Sequence, residues 1–116
     1  MPLPHNRRPV TISGGIIRVS AFDKAVVVTA ESAGADTLDQ IDGGIDGQEL
    51  QIFVAASQTI TVAESAGTGD NIEVPSHVTG AGAATAAGVS FVMNSTDDYA
   101  VAQRRGANWT VTPHLT

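Results

Sequence analysis

The chain has 116 residues, no cysteine, and twelve acidic against six basic residues. The length suits one domain, and the missing cysteine excludes a disulfide framework and any thiolate metal site. From Glu31 to Asp98 there are eleven acids and no Lys or Arg, which disfavours DNA or RNA as a partner because phosphate neutralisation needs clustered cations.

The first segment, MPLPHNRRP, holds three prolines and three basic or His residues. No apolar stretch follows them, so it does not read as a secretory signal, and the expectation is synthesis in a cytoplasm. Proline fixes φ and restricts its predecessor. Residues 1–9 are therefore expected as an extended, unpaired arm, and residues 10–116 as a single β-rich domain.

The body is expected to be all-β. Val and Ile number thirteen and eight against four Leu, and branching at Cβ suits a pleated surface better than a helix. Val10 and Ile12, then Ile16 to Val19, flank a break at Ser13-Gly14-Gly15. Residues 24–30, KAVVVTA, form a continuous β-branched run of the kind covered on both sides. Leu50, Ile52 and Val54 alternate, as do Ile60 with Val62, Ile72 with Val74, Val89 with Phe91 and Met93, Tyr99 with Val101, and Trp109 with Val111. Each set predicts one buried face at period two. Residues 76–90 are nearly all small and read as a compact loop, since their glycines oppose a helix. No apolar run reaches the roughly 18 residues of a membrane span. Seventeen of the apolar residues are Ala, so the interior looks thin for one copy. Small domains that bury little surface are often stapled or oligomeric, and the expectation is that neighbouring copies complete the core.

The densest cluster of polar chemistry is DQIDGGIDGQE, residues 39–49. Asp39, Asp42, Asp46 and Glu49 are oxygen ligands suited to Ca²⁺, but their spacing departs from an EF-hand loop and the flanks are strand-like. No phosphate-loop motif is present. The turn reading remains: Asp-Gly and Gly-Gly supply the positive φ that tight turns require. Gly43, Gly44 and Gly47 would make the corner, and Ile41 and Ile45 would point inward to anchor it. His5, His77 and His114 lack motif neighbours, no nucleophile elbow marks a serine, and no constellation predicts an enzyme. Asn94 and Asn108 head glycosylation sequons, which lack the secretory context they would need. Trp109 reads as a core plug.

Several pieces in order resemble a module recurrent in bacteriophage virion proteins. They are Leu38, Ile41-Asp42-Gly43-Gly44, Gly47-Gln48, Leu50 and Ile52; then Thr59 to Val62; then Gly69, Asn71, Ile72 and Val74. Phe91, Asp97-Asp98-Tyr99, Gly106, Asn108-Trp109 and Val111 continue the pattern. The resemblance covers about residues 36–112, apart from the small-residue insert at 76–88 and the N-terminal arm. Such modules are found in head fibres, tail fibres and capsid decoration proteins, as β-rich trimers. The resemblance therefore implies a compact β-sandwich or barrel-like domain with an extended arm, assembled as an intertwined homotrimer.

Two functions follow as expectations. One is a capsid decoration, or cement, protein on the outer surface of the virion, binding the major capsid protein and meeting neighbouring decoration trimers, with no catalysis, cofactor, metal, nucleic acid or membrane involved. Pro4, His5, Arg7 and Arg8 would dock on the shell, while Ile41, Gly43, Gly44, Gly47 and Trp109 would build the corner and core. The other is a trimeric head- or tail-fibre or spike module that binds host carbohydrate, which predicts an exposed aromatic platform.

Overall fold

The computed structural model describes residues 7–64, 71–79 and 82–116. Among these, eleven strands form and no helix: β1 (Arg8–Thr11), β2 (Ile16–Val19), β3 (Ala25–Thr29), β4 (Ala35–Leu38), β5 (Gln40–Gly43), β6 (Glu49–Val54), β7 (Thr59–Val62), β8 (Asn71–Glu73), β9 (Phe91–Met93), β10 (Tyr99–Arg105) and β11 (Asn108–His114). The all-β reading holds.

Eight strands make one sheet in the order β1-β3-β6-β10-β11-β8-β5-β2, and β4-β7-β9 make a second. The two ends of the large sheet are joined by a turn at Ser13–Gly15, closed by reciprocal Ser13–Ile16 backbone hydrogen bonds of 2.9 and 3.1 Å. A connection that short cannot span a flat eight-stranded sheet, whose strands lie about 4.8 Å apart. The sheet must curl until β1 and β2 meet, which makes the body barrel-like.

Alternation then sends one face inward. Val26, Ile52, Ala100 and Pro113 lie opposite one another across four successive strands, and Leu50, Ala102 and Val111 form the next row. These rows join Ile17, Ile41, Ile72 and Trp109, together with Leu38, Ile60, Val62 and Met93 of the second sheet, in one buried cluster. The largest of its side chains, Trp109, is fully buried, as the plug reading requires.

Four expectations need correction. The interior is not thin: a single copy encloses a contiguous core running from Val10 to Val111. The face of β10 is the reverse of the one expected, since Ala100 and Ala102 are buried while Tyr99 and Val101 are only half-buried. Narrow barrels alternate small and large residues inside, so size alone misleads there. Val89, expected on a buried face, is exposed. Finally, the arm does not run free to residue 9: Arg8 and Pro9 already belong to β1, paired in parallel with Val26 and Val27. Proline is tolerated there because β1 is last in the sheet order and its lost N–H leaves no ladder partner unmatched on the outer side.

The residues 82–90 that precede β9 form turns, as the loop reading expects, with Val78 and Ala84 joined by an isolated bridge.

Candidate docking surface

One end of the barrel is built on the glycine corner. Strand β5 enters it and β6 leaves it. Gly43, Gly44 and Gly47 hold φ of 99°, 84° and 87°, in the region that favours glycine. Two of them are also sterically obligatory. A Cβ on Gly43 would run into the carbonyl oxygen of Val19, its partner in β2, and one on Gly44 would lie 2.7 Å from both Gln48 Oε1 and Trp109 Cζ2. Trp109 thus packs against backbone that only glycine leaves open.

Side chains pin this corner to two other turns. Gln48 Oε1 accepts from Ile45 N at 3.0 Å, while its Nε2 donates to the carbonyls of Ser20 and Asp23 at 2.9 and 2.8 Å. Arg104 faces the same side as Trp109, directly opposite it in register. Its Nη1 donates to the carbonyls of Gly43 and Gly44 at 2.6 and 2.9 Å, and its Nε to that of Gly106 at 2.8 Å. Asp46 accepts from Gly106 N at 2.7 Å. The corner, the β2–β3 turn and the β10–β11 hairpin tip are one hydrogen-bonded unit.

Three of the four acids of residues 39–49 have partners around this corner. Asp46 holds the hairpin tip, Asp42 lies 3.5 Å from Arg18, and Glu49 accepts from Gln103 Nε2 at 3.1 Å. Each is turned to a different partner, and among the described residues no group of His, Asp and Glu is placed to hold a metal ion. Ile41 is fully buried as expected. Ile45 is not the inward anchor it was expected to be. It stands 55% exposed because the doubled glycines turn the chain outward immediately after Ile41.

Pro4 and His5 lie outside the described residues. Arg7 and Arg8 reach the corner end, but neither is an idle cation. Arg8 grips Asp23 with two hydrogen bonds, Nε to Oδ1 at 3.0 Å and Nη2 to Oδ2 at 2.7 Å, and also donates to Arg18 O at 3.0 Å. Those bonds hold the Asp23 carboxyl below the usual carboxylate range and raise Arg8 further. Asp23 also accepts from Ser20 N at 2.8 Å, so this pair stiffens the β2–β3 turn. The Arg7 guanidinium lies 3.8 Å over the Phe53 ring, an attractive placement for a cation.

Strand directions gather the rest of the basic charge here. β1, β3, β6 and β11 begin at this end, while β2, β5 and β10 finish at it. Arg8, Arg18, Lys24, Arg104 and Arg105 therefore belong to one pole, while Arg7 enters β1 there and carries its guanidinium along the barrel to Phe53. Asp23, Asp42, Asp46 and Glu49 share it. Acids such as Glu31, Asp36, Asp97 and Asp98 lie at the opposite ends of the strands. A separation of that kind orients a protein in the field of a charged surface.

Between the corner and the β2–β3 turn lies an open groove of about 1280 Å³, bordered by Arg7, Arg8, Phe22, Lys24, Ile45 and Glu49. Phe22 is 91% exposed at its rim. Ile45, 55% exposed, borders the same groove, so two of the large apolar side chains left in water line it together. Phe22 and Lys24 escaped the reading of the sequence. The available signal was an aromatic inside Ser20-Ala21-Phe22-Asp23-Lys24, a polar turn where an unburied Phe has no structural reason to be.

A second aromatic feature lies on the outer face of the barrel. Phe53, Tyr99 and His114 are cross-strand neighbours, with ring centroids 5.8 and 4.7 Å apart and nearly parallel planes. With Arg7 against Phe53, the rings cover one another's faces and turn their edges outward. The other histidine among the described residues, His77, is buried: Nδ1 lies 2.9 Å from Pro75 O, and the ring packs edge-on against Phe91.

Comparison with protein-family models, with curated proteins and with solved structures returned no match.

Proposed function

We propose that this chain is a bacteriophage capsid decoration protein, made in the host cytoplasm and acting as a homotrimer on the outer surface of the major capsid protein lattice. The observation that carries the reading is the corner pole: Arg8, Arg18, Lys24, Arg104, Arg105 and an exposed Phe22 share the end of the barrel at which β1 begins. The trimer rests on the resemblance, not on an incomplete core. The role is structural and not enzymatic. A decoration trimer stabilises a head by binding the assembled lattice more tightly than its separated parts, so that mass action favours the closed shell. Heating heads with and without the bound protein tests this: DNA should be released at a lower temperature from bare heads. Equal release temperatures would reject the role, and light scattering that finds only monomer would reject the trimer.

The outward row of Phe53, Tyr99 and His114 favours a second reading, a trimeric fibre or spike module that binds host carbohydrate. Sugars stack on ring faces, and here those faces are largely taken up by neighbouring rings and by Arg7, which ranks it second. A specific hit on a glycan array, lost in Tyr99→Ala, would reverse the order.

A further inference from the structure

The groove at the corner pole has chemistry that selects its partner. Arg8 is committed to Asp23, Arg18 lies beside Asp42, and Arg104 is committed to the corner carbonyls. Lys24 is exposed and makes no ion pair among the described residues, and it follows Phe22 by two positions in the same pinned turn. Ile45, held by the Gln48 bridge that also ties down Ser20 and Asp23, borders the groove with Phe22. The groove therefore offers one exposed cation and two exposed apolar side chains, carried on backbone that the Gln48 bridge holds in place. Neither the turn nor the corner needs to move to present them.

We infer that Lys24, Phe22 and Ile45 form a binding site for an acidic segment of a partner protein that also carries a large apolar side chain. The partner's carboxylate meets Lys24, and its apolar side chain packs against Phe22 and Ile45. The charge arrangement selects this occupant. The pole sets Arg8, Arg18, Lys24, Arg104 and Arg105 against four acids, while Glu31, Asp36, Asp97 and Asp98 lie at the opposite ends of the strands, so this pole is the face that negative partners approach. The inference rests on the docking reading above and names the chemistry of the surface that the pole would meet.

The test uses the full chain and labelled short peptides alternating aspartate with leucine, aspartate with serine, or lysine with leucine, read by fluorescence anisotropy. The aspartate–leucine peptide should bind best. Its affinity should fall several-fold between low and physiological salt, as expected for exposed charges screened over about 8 Å. Lys24→Glu should weaken it about tenfold through like-charge repulsion, and Phe22→Ser should weaken it without changing the salt dependence. Both positions are exposed, so both variants should fold. Val92→Ser, exposed on β9 away from the groove, serves as the control and should bind as the parent does. Equal binding of all three peptides, or binding indifferent to Lys24→Glu and Phe22→Ser, would overturn the inference. So would binding seen only after residues 1–6 are removed, since the groove would then be the seat of the chain's own terminus. Head attachment is scored separately: heads decorated equally well by Lys24→Glu and Phe22→Ser would defeat the inference and leave the decoration role standing. Peptide binding without head attachment would do the reverse.

Discussion

Replacing Gly43 by Ala is the sharpest test of the corner. The new Cβ would overlap the carbonyl oxygen of Val19, and that oxygen belongs to a strand paired with β5, so it cannot swing aside as a flexible side chain would. The substitution must also hold an L-residue at φ 99°. Left-handed backbone costs a non-glycine residue roughly 1–2 kcal/mol, and overpacking adds typically 1–3 kcal/mol, so the loss should be about 3 kcal/mol. At an unfolding entropy of roughly 2.1 cal/mol/K per residue, that lowers Tm by about 12 °C. Gly47 provides the control. Its φ is 87°, but nothing lies within 4 Å of a Cβ built there. Gly47→Ala should therefore carry only the backbone term, with Tm lower by about 4–8 °C. Trp109 is buried against Gly44, so its fluorescence reports both transitions, measured at one protein concentration because oligomerisation shifts apparent stability. If Gly43→Ala cost no more than Gly47→Ala, the close approach of β2 to the corner would not constrain the fold.

Three further outcomes follow from the same geometry. Asp23→Asn should destabilise by about 1–2 kcal/mol at neutral pH by weakening the charge-assisted bonds to Arg8. Because the folded carboxyl is held below its ordinary value, that contribution is complete above the ordinary Asp value of about 3.9 and fades as pH falls through the lowered one. Urea titrations of parent and variant should accordingly converge only in strong acid, and an equal gap at every pH would contradict the pairing. Asp98 is buried and accepts from Asn94 N at 3.0 Å, Thr116 N at 2.9 Å and Thr116 Oγ1 at 3.1 Å. Asp98→Ala should cost about 2–3 kcal/mol by stranding those donors, and hydrogen exchange at Thr116 should accelerate with it. Trp109→Phe should cost less than Trp109→Ala, for which about 3–5 kcal/mol is expected. The indole N–H makes no hydrogen bond, so Phe forfeits volume but no polar partner; equal losses in denaturant melts would contradict this.

Much of the local pattern was legible in the chain. The faces of β6, β7, β9 and β11 follow from alternation, and the doubled glycines announced the corner that Gly43 and Gly44 make. β10 was misread because Tyr99 and Val101 outsize Ala100 and Ala102, while the interior admits the small pair and leaves the ring of Tyr99 to stack between Phe53 and His114 outside. Of the expected docking residues, Arg8 became a structural clamp and Arg7 a ring partner. Phe22 and Lys24, which the inferred site uses, carried no periodic signal because a turn has none.

The amino-acid order by itself determined an all-β chain, most inward faces and the glycine corner, because period-two alternation and positive φ are properties of a few adjacent residues. Only the tertiary structure decided that β1 and β2 would meet across a curled sheet, that Ile45 would face water, and that basic residues from three separated stretches would share one pole. Those outcomes depend on which distant strands pair and in which direction they run, and the backbone groups that pair them are the same in every residue except proline.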